Sequence, residues 1–138
     1  MKTYYGTKVI TAQPMTRKEY NDLRGWEVPL DEDGSDEGYL VCYPDQIPNV
    51  EGYNGYVSWS PADIFEGTYK EIPGGLQPHQ TRVVIEHSQL VERAEGLESF
   101  IGSDNYFKLP EVEQKDLSEQ LEAMIWYRNV LERRMSRF

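Results

Sequence analysis

Two side chains in the C-terminal half of this chain have the chemistry to hold an anion, His87 and Arg128. Trp126 and Tyr127 precede Arg128 directly, and Arg82, Arg133 and Arg134 fall near the same level once the two helices described below are folded together. Guanidinium groups grip phosphate oxygens and aromatic faces stack on bases, so this is the set a nucleobase and its phosphates need. Arg82, His87, Tyr127, Arg128, Arg133 and Arg134 are therefore the expected ligand-binding residues. A plainer account stands beside this one. His87 can give a ring proton to a carbonyl or to Glu86 as a half-buried filler, and Arg128 can snorkel out to Glu132 or Glu86.

Catalytic groupings are missing. The histidines are His79 and His87 alone, and neither has the spacing of a metal-binding helix. The serines lack a nucleophile-elbow setting, and Cys42 has no base near it in sequence. Pro73-Gly74-Gly75 lacks the lysine and the following helix of a phosphate loop. The carboxylates read as solvated surface, and Tyr56 and Trp59, on alternating faces of a strand, read as packing. The expectation is a protein that is not an enzyme, with no catalytic residue, no metal and no cofactor. The single cysteine also rules out a disulfide within the chain.

Charge narrows the partners. The net charge is −10, and it divides unevenly: 13 acidic and 6 basic residues precede Thr81, against 11 and 8 from there on, so the halves carry −7 and −3. A chain that binds a nucleic-acid polymer shows a basic footprint over many phosphates, which is lacking here. A small anion held by a few focused cations fits better. No run of 18 apolar residues occurs, so no membrane span is expected, and MKTYYGTK has no apolar stretch of a signal peptide. A cytoplasmic protein is the expectation. At 138 residues and 38% hydrophobic the chain can bury a core, but a small one that association with further copies would help.

The elements that must position these side chains fall into two groups. Thr3 to Ala12 suits a strand, and Thr16 with Glu19 forms a capping box for a short helix closed by Gly25. After the acidic turn Asp31 to Gly38, Gly38 to Tyr43 and Gly55 to Trp59 are two further strands. Ser60, Pro61 and Asp63 start a second short helix, with Ser60 as its cap, and Thr68 to Ile72 suits a fourth strand. The resulting fold class is α+β. A small N-terminal mixed or antiparallel sheet with short helices occupies residues 1–72, PGGLQP lies in a linker over 73–80, and residues 81–138 form a long antiparallel helical hairpin. The hairpin comprises Thr81 to Ile101, a connection from Ser103 to Leu109, and a second helix from Pro110 nearly to Phe138.

Both long helices carry the alternating four-three spacing of a coiled-coil seam. Val83, His87, Leu90, Ala94, Leu97 and Ile101 supply one side; Leu117, Leu121, Met124, Arg128, Leu131 and Met135 supply the other. Folding about the connection sets Val83 opposite Arg128 and His87 opposite Met124. The two polar exceptions then lie about one helical turn apart at the open end. Val84, Val91, Ile125, Trp126 and Val130 form a second apolar stripe, which the N-terminal unit and other copies of the hairpin are expected to cover.

Arg82-Val83-Val84, Glu86, Leu90, Leu97, Phe100-Ile101, Phe107, Leu109, Glu113, Gln120-Leu121, Met124, Tyr127, Leu131 and Arg134 together resemble the helical hairpin of phage anti-CBASS and Thoeris anti-defence proteins. The resemblance spans about residues 80–138. The N-terminal PMTRKEYNDLRGW, DEGYLV and GYVSWSP are similar to a small domain at the front of other phage accessory proteins. The resemblance implies a bacteriophage protein of host immune evasion. It would act as an oligomeric sponge, a hexamer in the known cases, that sequesters nucleotide second messengers without cleaving them. Cyclic di- and trinucleotides and cyclic ADP-ribose isomers are the ligands so implied, held between subunits by aromatic and basic side chains in the cytoplasm of the infected host. His87 departs from the aromatic or apolar residue expected at its place, which leaves the ligand class open. A protein-binding module that inhibits a host protein directly is the competing function, suggested by the acidic first 80 residues and the uncovered stripe.

Overall fold

The computed structural model describes residues 1–138. The chain divides into two compact units, Met1–Lys70 and Glu71–Phe138. The first holds strand β1 (Thr11–Pro14), helix α1 (Arg17–Arg24), strands β2 (Gly38–Tyr43) and β3 (Tyr56–Pro61), and helix α2 (Ala62–Thr68). The second holds α3 (Pro78–Ile101), the single turn α4 (Asp104–Phe107) and α5 (Glu111–Met135). A small antiparallel sheet followed by long helices is the α+β architecture expected.

In the first unit the strands lie in the order β1-β2-β3, antiparallel throughout. Leu40, Cys42 and Val57 project from one face onto Tyr20 of α1, and Met15, Val50, Tyr53 and Trp59 close the edges of that core. Thr16 and Glu19 make the expected capping box, and Gly25 ends α1 at φ 70°, a conformation that favours glycine. On the other face, Tyr39 stacks on Phe65 of α2 at 4.1 Å between ring centroids, and Phe65 stacks on Tyr69 at 5.1 Å. Gly38 is required: a Cβ there would overlap the Ser60 carbonyl and the Trp59 indole. Burial makes Cys42 an apolar member of this core.

Three local expectations are corrected. The first strand begins at Thr11, not Thr3, because Thr11 already pairs with Cys42, one residue from the end of β2. The β-prone residues before it have no partner strand to extend along. Ser60 does not cap α2; it pairs with Tyr39 inside β3, and Pro61 takes the cap position. Thr68 to Ile72 forms no strand. Tyr69 instead donates its backbone N–H to the Phe65 carbonyl at 2.8 Å, and the i, i+4 stacking of the two rings holds the last turn of α2.

In the second unit, α3 begins at Pro78, three residues before the expected Thr81. Proline suits a first helical position, and the Gln80 carboxamide oxygen accepts the Gln77 backbone N–H at 2.9 Å. The connection between the long helices holds a helical turn of its own, α4, where the sequence predicts only a link. Tyr106 of α4 is 8% exposed, donates its hydroxyl to the Gln114 carbonyl at 2.9 Å, and meets Phe100 edge-on. It plugs the closed end. Glu111 and Glu113 in the first turn of α5, and Arg133 and Arg134 in the last, each face the helix end of opposite sign.

All twelve seam residues are buried or half-buried. Val83 and Leu90 close on Leu131, with Met124 and Met135 packed against them. The pairing across the seam is nevertheless shifted from the expected one. His87 lies level with Glu132, not opposite Met124, and Val83 joins Leu131 in place of Arg128. The long side chains bridge the offset unequally: Glu86 still reaches Tyr127, close to the expected level, while α4 packs against α3 in the connection.

Candidate functional site

The two polar exceptions of the seam converge on one carboxylate. Glu132 Oε1 lies 3.1 Å from His87 Nε2 and 3.8 Å from Arg128 Nε. The first is a hydrogen bond. The second is an ion pair too long for one. Arg128 Nε is shielded from solvent and bonded to nothing, although the side chain as a whole is 33% exposed. A shielded donor without an acceptor is a standing cost in free energy, and Arg17 Nε in the first unit is in the same state.

Tyr127 stands beside this pair. Its hydroxyl donates to Glu86 of α3, and that bond, together with burial, holds the phenol above its usual pKa, while the charge of Arg134 draws it down. Trp126 is 70% exposed and presents an open indole at the same level of α5. The structure thus brings His87 and Arg128 to Glu132 and Tyr127 to the adjacent Glu86, with Arg134 acting on Tyr127 through its charge. Arg82 and Arg133 are exposed, and no hydrogen bond or ion pair ties their side chains to this group.

The plainer account of these residues holds in part. Arg128 does turn toward Glu132, one helical turn along α5, but without forming the bond that would satisfy it. His87 finds Glu132 and not Glu86, because Glu86 is taken by Tyr127. Glu132 is therefore the residue that His87 and Arg128 share. Its spacing from Arg128 marks it as that residue's neighbour, whereas its contact with His87, 45 positions away, has no local signal.

A cavity of about 540 Å³ opens in the first unit, between Arg17, Glu32, Asp36, Glu37, Trp59 and Asp63, on a floor of Pro61 and Ala62. Arg17 is already engaged there, bonded to Glu32 at 2.6 Å and lying over the Trp59 ring. Four carboxylates against one committed guanidinium repel a phosphodiester. No helix is long and apolar enough to cross a membrane.

The second unit is thus a helical hairpin with cations and aromatic rings at its open end. Comparison with known families finds that residues 77–137 match the family model described as Sequestin, from the residue that caps α3 to just beyond α5. The match covers the hairpin and fits the anti-defence sponge family that this part of the chain resembles. Its name denotes sequestration, a role in which a ligand is held and not transformed. No curated protein and no solved structure matches the chain.

Proposed function

We propose that this protein is a phage anti-defence sponge. It sequesters a nucleotide immune second messenger, a cyclic di- or trinucleotide or a cyclic ADP-ribose isomer, and so blocks activation of CBASS or Thoeris effectors in the cytoplasm of the infected bacterium. The single observation that carries this reading is the match of residues 77–137 to a family named for sequestration, over a hairpin in which Arg128 and His87 meet on one carboxylate near the open end. The half-buried Arg128 guanidinium offers a phosphate a charged partner, and the exposed Trp126 indole offers a base a stacking face. Copies of the hairpin associate through the second apolar stripe and complete the pocket with Arg82, Arg133 and Arg134 from neighbouring copies.

A second reading is a module that grips a host protein. The −7 charge of the first 80 residues and the acidic cavity of the N-terminal unit favour it. One experiment separates the two. The protein is incubated with cyclic di-AMP, cyclic GMP–AMP, cyclic triadenylate and cyclic ADP-ribose in turn, filtered, heated and refiltered, and the filtrates are chromatographed. Ligand that disappears and returns intact on heating is the expected result. Ligand that returns altered identifies an enzyme, and ligand that stays free throughout points to the protein partner.

A further inference from the structure

Tyr127 is fastened from the neighbouring helix, and the consequence for ligand binding rests on the sponge reading above. The side chain is 42% exposed, and a ring that open on a helix surface is ordinarily free to change rotamer. Here its hydroxyl donates to a carboxylate oxygen of Glu86 on α3, 41 positions away. The ring is thus tied at both ends, through Cβ to α5 and through the hydroxyl to α3, and it bridges the two helices with part of its surface open to solvent. The proton that makes the bond is secure, because the bond to Glu86, with burial, holds the phenol above its usual pKa. The Glu86 carboxylate has no other hydrogen bond or ion pair to draw it away. Trp126, one position earlier, is 70% exposed and makes no hydrogen bond or ring contact. Of the two adjacent rings, only Tyr127 is held. Arg134, about two helical turns further along α5, is near enough to act on the phenol through its charge, so a cation stands beside the fixed ring.

We infer that Glu86 is a positioning residue for the ligand: by holding the Tyr127 hydroxyl it fixes that ring as the platform on which a base stacks. A free aromatic side chain must be ordered when the base arrives, and ordering one side chain weakens affinity by about two- to ten-fold. The bond across the hairpin orders Tyr127 beforehand. Glu86 acts through the phenol and not on the ligand, since a carboxylate is a poor neighbour for a phosphate. A bond between the helices is also the reason the residue escapes a reading of either helix alone. Glu86 has the look of a solvated surface acid until the fold sets Tyr127 against it.

The test compares the full-length protein with Glu86→Ala and Glu86→Gln. Glu86 is exposed, so neither change disturbs the packed seam. Cyclic di-AMP, cyclic GMP–AMP, cyclic triadenylate and cyclic ADP-ribose are titrated calorimetrically into each. The messenger that binds is then supplied with 2-aminopurine in place of one adenine, whose fluorescence falls when the base stacks on a ring. Glu86→Ala should bind about two- to ten-fold more weakly and quench the saturated analogue less. Glu86→Gln offers a carboxamide oxygen to the same hydroxyl and should recover most of both. A residue that merely braces the hairpin would lower the melting temperature in Glu86→Ala and leave the quenching of the saturated complex as it was. Unchanged quenching in Glu86→Ala, unchanged or tighter binding, or no recovery in Glu86→Gln overturns the inference and leaves the sponge intact. Failure of the parent protein to bind any of the four ligands overturns the sponge reading, and the inference with it.

Discussion

Replacing Arg128 by methionine should move stability and binding in opposite directions. The structure sets the magnitudes. Arg128 Nε is shielded and unbonded, and a buried polar group left unpaired costs about 1–3 kcal/mol. The interaction lost with Glu132 is an ion pair at 3.8 Å between side chains 33% and 51% exposed, which contributes roughly 0–1 kcal/mol. Methionine follows the path of the arginine stem and packs in a seam that already holds Met124 and Met135. The net gain is on the order of 1 kcal/mol, which for a unit of this size raises Tm by about 4–8 °C. Binding should fall about ten- to a hundred-fold, the usual loss when a charged hydrogen bond of roughly 1.5–3 kcal/mol is removed. Thermal unfolding followed by circular dichroism, at matched protein concentration, and calorimetry with the retained messenger measure the two effects. A variant that melts lower and binds as before refutes the reasoning: Arg128 would then be a stabilising residue of the seam, and the site would lie elsewhere.

Light scattering should give a mass several times 16.1 kDa, and Val91→Asp with Trp126→Ser should lower it; a stable monomer at micromolar concentration contradicts association through the second stripe. Limited proteolysis should cut first between Glu71 and Gln77, the stretch ahead of α3 that contains Pro73-Gly74-Gly75, and first cuts within β2 or β3 would show that the N-terminal unit is not separable.

The elements whose signals are local were legible. Thr16 and Glu19 cap α1 through their own backbone, Gly25 supplies the left-handed turn, and the four-three spacing named the seam residues that the hairpin buries. Such features depend on residues a few positions apart, so the sequence carries them whole. Where a partner sets the limit, the local pattern overreached. Thr3 to Ile10 has strand chemistry but β2 ends at Tyr43, and Ser60 has capping chemistry but is held in β3 by Tyr39. The candidate site divides along the same line. Helical spacing singled out His87 and Arg128 as the polar exceptions and located both near the open end, because that much depends on periodicity. Which groups they meet depends on register across the hairpin, a property of the packed helices and not of either one alone. Tertiary packing brings Glu132, 45 positions away, to His87 and leaves the Arg128 Nε without an acceptor.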